Sequence, residues 1–351
     1  MSAPQLSYVL PLRWTDDGGR LPELTGYLEW LARRAQVVVV DGSPPELFQR
    51  HADAWYGHVR HLPPDPGTRF ANGKVDGVTT GVLAARTERV VIADDDVRYD
   101  DAGLTAVAAG LAEADLVRPQ NHFDPLPWHA LWDSGRILLN RALGHDYPGT
   151  FGVRRSTFLA MGGYDGDVMF ENLELVRTVL AHGGAESRRR DLYVRRLPPD
   201  TAHFCSQRLR QAYDDTAQPL RLAGALAVLP AAVTAAARGR ADLLALGALA
   251  AVAVAEAGRR RAGGARYFPF RCSLFAPLWL AERGLLGWVA LARHLGGAGV
   301  RYRGRRLRLA AHPLGWLARH PRPPLVPRPV GTAAGGEADR LVASVAEGLH
   351  G

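Results

Sequence analysis

Lysine is all but absent from this chain. Of 43 basic residues in 351, only Lys74 is a lysine and the other forty-two are arginines. Such a bias arises where lysine has drifted to arginine wherever either would serve. The survivor then marks a place that needs a compact ammonium and cannot take a planar guanidinium, with chance survival as the bland alternative. Cysteine is scarce too. Cys205 and Cys272 are too few and too far apart for a disulfide framework or a CxxC zinc site, which fits a reducing compartment. No internal repeat is present. No secretory leader is expected, because the N-terminus runs almost directly into the strand-like Leu6–Leu12.

What is present is the composition of a folded protein, 47% hydrophobic and 22% charged. The length allows one large domain or two smaller ones. A formal charge of +8 implies an anionic partner, whether nucleic acid, anionic lipid or the phosphates of a nucleotide sugar. Arginine clusters at Arg188–Arg190, Arg259–Arg261 and Arg301–Arg308 lie mostly beside apolar stretches. That placement favours a membrane surface and argues against a nucleic-acid partner.

Residues 4–205 alternate between strand-like and helical patterns. Strand-like runs are Leu6–Leu12, Gln36–Val40, Val90–Ala93, Leu116–Pro119 and Leu192–Arg196. Helical stretches are Leu21–Arg34, Gly77–Arg86, Ala102–Ala114, Leu126–Ala142 and Glu171–His182. Such alternation predicts an α/β layer with a largely parallel sheet. Two of the strands run directly into acids, Asp41 and Asp94, and in open α/β sheets ligands bind outside the carboxyl ends of the strands.

Beyond residue 219 the character changes. Leu222–Ala237 and Leu243–Ala255 carry no charge, Phe268–Leu280 only Arg271, and Leu285–Ala292 none. The first of these is sixteen residues, roughly 24 Å of helix, short of a ~30 Å hydrocarbon core. The connection after it holds Arg238 and Arg240, which two full crossings would put on the outer side, against the positive-inside tendency. A shallow hairpin or interfacial helices at the cytoplasmic face are therefore expected ahead of a multi-helix anchor that truly spans, with a buried Ala/Leu bundle as the soluble alternative. His312–Gly335, rich in Pro, Arg and Gly, reads as a linker, and Glu337–Leu349 as a short amphipathic helix.

The sharpest local signal is Asp94-Asp95-Asp96 at the end of Val90–Ala93. Moving a sugar off a nucleotide requires neutralising the diphosphate that leaves. A hard divalent ion, Mg2+ or Mn2+, does this and takes carboxylate ligands. Asp94 and Asp96 are the expected ligands. The bland alternative is an N-cap with acidic first-turn residues for Ala102–Ala114, but three consecutive acids exceed what a cap needs. A phosphatase-type DxDx(T/V) motif fits poorly, because Arg98 occupies its last position and the lone lysine lies upstream.

These residues resemble the family 2 glycosyltransferases of the GT-A fold, whose strand-terminal acids bind metal and nucleotide sugar. Val37–Ser43 resembles the strand ending in Asp-Gly-Ser, which implies a nucleoside contact for Asp41. Asn72-Gly73-Lys74 with Gly81 resembles the Gly-Lys…Asn-x-Gly helix start, with Thr79 in place of Asn; this puts Lys74 beside the nucleotide. Gly149–Arg155 and Gly162–Asp165 resemble the acceptor-side segment, and Phe170–Leu175 the Glu-Asp motif that follows it. In inverting members the second residue of that motif is the base, but here it is Asn172, and an amide cannot accept the proton. Glu171 is the expected base, with Asp165 and Asp167 as alternatives. Gln207-Arg208-Leu209-Arg210 resembles QxxRW, with Gln211 in place of Trp. Tyr302–Arg306 resembles the Gly-Arg ending of ceramide glucosyltransferase-like members.

The resemblance covers residues 4–215. It implies a GT-A domain (Rossmann-like, mostly parallel sheet) over 1–215, and the change of composition after it gives an α-helical, membrane-associated region over 216–311 and a tail over 312–351. The expected activity is inverting, metal-dependent transfer from a nucleotide diphosphate sugar to a lipid-linked or cell-envelope glycan acceptor. Pro11, Asp41, Lys74, Asp94, Asp95 and Arg210 are expected at the donor, Gln207 and Trp132 on the acceptor side, and His203 as a third metal ligand beside Asp94 and Asp96. Two rivals stand. A sugar nucleotidyltransferase would want a Gly-rich basic loop after the first strand, where Pro11–Trp14 stands instead. A catalytically silent membrane scaffold is kept in view by Asn172.

Overall fold

The structure, a computed structural model, describes residues 5–302 and 304–327. In chain order it begins β1 (Leu6–Leu12), α1 (Leu21–Ala32), β2 (Gln36–Asp41), α2 (Pro45–Ala54), β3 (Arg60–Leu62), α3 (Gly73–Ala84) and β4 (Arg89–Ala93). There follow β5 (Val97–Arg98), α4 (Asp101–Glu113), β6 (Leu116–Phe123), α5 (Trp128–Leu143) and β7 (Thr150–Arg154). Next come α6 (Arg155–Ala160), α7 (Glu171–Ala181), β8 (Glu186–Arg196) and α8 (Thr201–Asp214). The remainder is helical, with α9 (Pro219–Ala237), α10 (Ala241–Arg260), α11 (Arg271–Leu274) and α12 (Ala276–Leu295). A small hairpin, β9 (Val300–Tyr302) and β10 (Arg305–Leu307), and α13 (Leu314–Arg319) complete it.

Eight strands form one sheet in the order β3-β2-β1-β4-β7-β6-β8-β5. The run β3-β2-β1-β4 is parallel throughout, and so is β6 with β8. The expected Rossmann-like, mostly parallel sheet is thus present. Sequence reading overlooked β7, which runs antiparallel between β4 and β6.

Side-chain alternation builds a core on each face of the sheet. Tyr8, Leu10, Val37, Val39 and Val91 meet Leu24 and Leu28 of α1 and Leu104 and Val107 of α4 on one side. Val9, Val38, Val40, Val90 and Ile92 meet Val75, Val78 and Val82 of α3, together with α6 and α7, on the other. Helix α3 lies very close to the sheet through two glycines. A Cβ on Gly81 would fall 2.3 Å from Val9 Cγ1, and one on Gly77 2.8 Å from Pro11 Cβ.

The apolar helices α10 and α12 pack on α5. Ile137, Leu138 and Leu139 of α5 share a core with Ala251 and Ala255 of α10, Phe268, and Trp279 of α12. Three helical stretches, Pro219–Ala237, Ala241–Arg266 and Arg271–Leu295, are long and apolar enough to cross a membrane. Leu220, Leu243, Leu246, Leu249, Leu285 and Trp288 are exposed on them. The tail departs from the linker expected of it. Leu314–Arg319 is helical, and the Leu325 N–H donates to the Leu159 carbonyl at 2.8 Å, tying the segment to α6. The helix expected over Glu337–Leu349 lies outside the described residues.

Candidate active site

The acidic run is a turn clamped from two sides, not a helix cap. Asp100 caps α4, its carboxylate accepting from the Gly103 N–H at 2.7 Å. The Asp94 N–H donates to the Gly149 carbonyl at 2.8 Å, and the Leu197 N–H donates to the Asp96 carbonyl at 2.8 Å. The turn is thereby fixed between the start of β7 and the end of β8. Gly149 leaves no room for a side chain, since a Cβ there would sit 2.5 Å from Asp94 Oδ2 and 3.0 Å from Arg196 Cζ.

Two cations converge on these acids. Lys74 stands in the first turn of α3, which Asn72 caps by accepting from the Lys74 N–H at 3.2 Å. Its Nζ lies 2.6 Å from Asp94 Oδ1 and 2.9 Å from Glu171 Oε1. Arg196, the last residue of β8, reaches Asp96 Oδ2 at 2.7 Å and Asp94 Oδ2 at 3.3 Å. Burial would discharge the Lys74 ammonium, but Asp94 and Glu171 outweigh it and raise its pKa. Burial likewise pushes Asp94 up, and Lys74 and Arg196 hold it below the usual carboxylate range. Asp96 goes the other way, to about 6, through burial and the charges of Asp94 and Asp95, which Arg196 only partly offsets.

Three carboxylates against two cations leave the cluster short of positive charge. Among the described residues, Asp96 Oδ1 is buried without a hydrogen-bond partner. An orphaned hard oxygen beside Asp94 fits a divalent cation of the Mg2+ or Mn2+ kind. Asp95 faces away, accepting from Trp14 Nε1 at 2.5 Å with Arg20 at 3.7 Å, and Arg20 lies 4.4 Å over the Trp14 ring.

A cavity of about 160 Å³ opens from Asp94 and is lined by Glu171, Asn172, Arg196, Gln207, Arg210 and Asp214, among others. It is smaller than the ~300–1,000 Å³ usual for ligand clefts, so a larger ligand would also need the open edge formed by the strand ends. Gln207 and Arg210 are joined at 3.0 Å. His203 hydrogen-bonds Gln207 through Nε2, and burial and Arg210 lower its pKa.

Other expected residues lie away from the cavity. Pro11 packs beneath α3. Asp41 is wholly buried: Oδ2 meets His51 Nδ1 at 2.6 Å and His61 Nε2 at 3.1 Å, while Oδ1 accepts from the Ser43 N–H. The two histidines overcome burial and hold its carboxyl below the usual range. Trp132 donates to Glu282 Oε2 at 2.5 Å, within the packing of α5 on α12. Of the alternative bases, Asp167 accepts from the Ala71 N–H, and Asp165 faces His312, which is paired with Glu174. Sequence reading missed Arg196 and Asp214. Arg196 was visible as the end of a strand, but its antiparallel and parallel neighbours were not.

No protein-family model matches the sequence, and no curated protein does. Solved structures similar to it include a mannosyltransferase from Pyrobaculum calidifontis in complex with GDP-Man and Mn2+. That pair shares 19% identity over 82% of this chain and 87% of that one, with a TM-score of 0.46. Another is mannosyl-3-phosphoglycerate synthase from Rubrobacter xylanophilus, with 18% identity, 59% and 71% coverage and a TM-score of 0.40. Glucosyl-3-phosphoglycerate synthase from Mycobacterium tuberculosis, in complex with Mn2+, UDP and glucosyl-3-phosphoglycerate, gives 14%, 60%, 78% and 0.42. Likeness of this degree assigns the chain no activity.

Proposed function

We propose that this chain is a glycosyltransferase that moves a sugar from a nucleoside diphosphate sugar to a hydroxyl acceptor. The observation that carries the reading is the Asp94–Asp96 turn at a strand end, with an orphaned carboxylate oxygen on Asp96 and with Lys74, Arg196 and Arg210 around it. Acids that bind a metal and cations that meet the free phosphate oxygens are what a diphosphate leaving group requires. Asp94 and Asp96 would hold Mg2+ or Mn2+, which neutralises the diphosphate when bound. His203 is a further ligand candidate, one helical turn before Gln207.

Lys74 and Arg196 keep Asp94 ionised and hold the surrounding carboxylates in place. Lys74 and Arg210 also offer charge to the phosphates, and the Asp95–Trp14–Arg20 group borders the same edge. The family 2 resemblance assigns Pro11 and Asp41 to the nucleotide, outside the cavity. With its carboxylate satisfied internally, Asp41 shapes the Asp-Gly-Ser turn more than it offers free lone pairs. Gln207 faces the acceptor mouth. Inversion, a GT-A assignment and a lipid-linked or cell-envelope glycan acceptor follow from the family 2 resemblance. Exposed leucines on α9, α10 and α12 support attachment to the membrane, and we place it at the cytoplasmic face.

Binding of UDP-glucose and GDP-mannose, measured by calorimetry with and without Mn2+, tests the reading. Wild type is expected to bind one of them in a Mn2+-dependent way, and Asp96→Ala to lose that dependence. Equal binding by both proteins, or none by wild type, would sink it.

A further inference from the structure

The acids lining the cavity are not equally engaged. Asp94 is held by Lys74 and Arg196, and Glu171 by Lys74. Asp215 is held by Arg221 at 2.8 Å and Arg283 at 3.4 Å. Asp214, the last residue of α8, makes no side-chain hydrogen bond or ion pair among the described residues, and its Oδ1 is buried without a partner. We propose that Asp214 is the catalytic base that takes the proton from the acceptor hydroxyl. This inference rests on the transferase reading above and revises which acid acts within it.

A base needs a lone pair facing the substrate and a pKa near the working pH. Glu171 does not offer its lone pairs freely, since Lys74 Nζ sits 2.9 Å from its Oε1. Asn172 has no proton-accepting oxygen of useful basicity. Asp165 accepts from the Asp167 N–H, Asp167 accepts from the Ala71 N–H, and the lining of the cavity includes neither. Asp214 shares the cavity with Asp94, so an acceptor lodged there touches both the donor side and this carboxylate.

The charges facing Asp214 are Arg210 on its own helix, Asp215 beside it, Glu171 from α7 and Arg283 from α12. Arg210 is drawn off toward Gln207 and lies 5.2 Å over the Tyr302 ring. Burial pushes the Asp214 carboxyl up to about 8 against Arg210, with Glu171 and Asp215 adding to the rise.

In the step itself the acceptor O–H proton passes to the Asp214 carboxylate as the acceptor oxygen forms its bond to the anomeric carbon. The bond from that carbon to the diphosphate oxygen breaks, and the nucleoside diphosphate leaves with the electron pair. Asp214 ends as the acid and returns its proton to water.

The ionised form does the work, so turnover is expected to rise with pH through about 8. Stability runs the opposite way. A carboxyl with a raised folded-state pKa keeps its proton above the ordinary value of about 4, so stability falls as pH climbs from there toward 8.

The full chain, with Mn2+ and either UDP-glucose or GDP-mannose, can be followed for nucleoside diphosphate release to water and for sugar transfer into a total lipid extract. Asp214→Asn is expected to bind donor like wild type and to lose about 10²–10⁴-fold in turnover together with the alkaline rise. It is also expected to melt at a higher temperature than wild type at pH 8, which separates lost chemistry from lost folding. Glu171→Gln is expected to keep the alkaline rise. Wild-type turnover by Asp214→Asn would overturn the proposal, as would loss of the rise in Glu171→Gln alone. Wild type that binds no nucleotide sugar fails at an earlier step, and brings down the transferase reading along with the base.

Discussion

Lys74 shows how much a single residue type can say. Its ammonium bridges Asp94 and Glu171, residues 20 and 97 positions away, at 2.6 and 2.9 Å. A guanidinium needs a wider, planar approach, and Arg196 already occupies the other side of Asp94. Lys74→Arg is therefore expected to lower donor turnover by about 10–10³-fold, read from initial rates at saturating Mn2+. Turnover equal to wild type would make the lone lysine a chance survivor. The singularity of Lys74 and the Asp94–Asp96 run are both legible in the sequence, because each is a local anomaly. Arg196 is one arginine among forty-two, and nothing local distinguishes it. Asp214 is equally plain in sequence; what sets it apart is the lack of a side-chain partner among the described residues.

Between elements, the decisive contacts are backbone approaches. Helix α3 brings Lys74 to the strand ends because Gly77 and Gly81 let it lie against Pro11 and Val9. The apolar helices attach the same way. A Cβ on Gly258 of α10 would come within 2.0 Å of the Leu138 carbonyl oxygen on α5. Gly258→Leu is expected to force the two helices apart, at a cost of about 1–3 kcal/mol or more, seen as a lower melting temperature in detergent. An unchanged melting temperature would mean that α10 is loosely held. Element identity was readable along β1, β2, β4 and α7 from periodicity. The antiparallel β7 was not, since a five-residue strand beginning Thr150-Phe151-Gly152 has too little alternation to stand out.

For the whole molecule, the unanswered apolar surface and the arginine clusters point to one environment. Leu246 and Leu249 are exposed on α10, and the Arg259–Arg261 run ends the same helix. The full chain is expected to co-sediment with vesicles containing phosphatidylglycerol and to remain bound at about 1 M salt, where charge attraction is screened within ~3 Å. Leu246→Glu with Leu249→Glu is expected to weaken that retention. Release of wild type by salt alone would reduce the attachment to electrostatics.

By itself the sequence determined the α/β layer, the strand-end acids and the change to apolar helices after residue 219, because periodicity, runs of one residue type and hydropathy are short-range properties. Only the tertiary structure decided which acids are neutralised and which is left alone. Lys74, Asp94, Glu171, Arg196 and Asp214 come from five separate elements or turns. The charge state of each depends on neighbours from other elements, 20 positions away for Lys74 and Asp94 and 102 for Asp94 and Arg196, set by sheet order and helix packing.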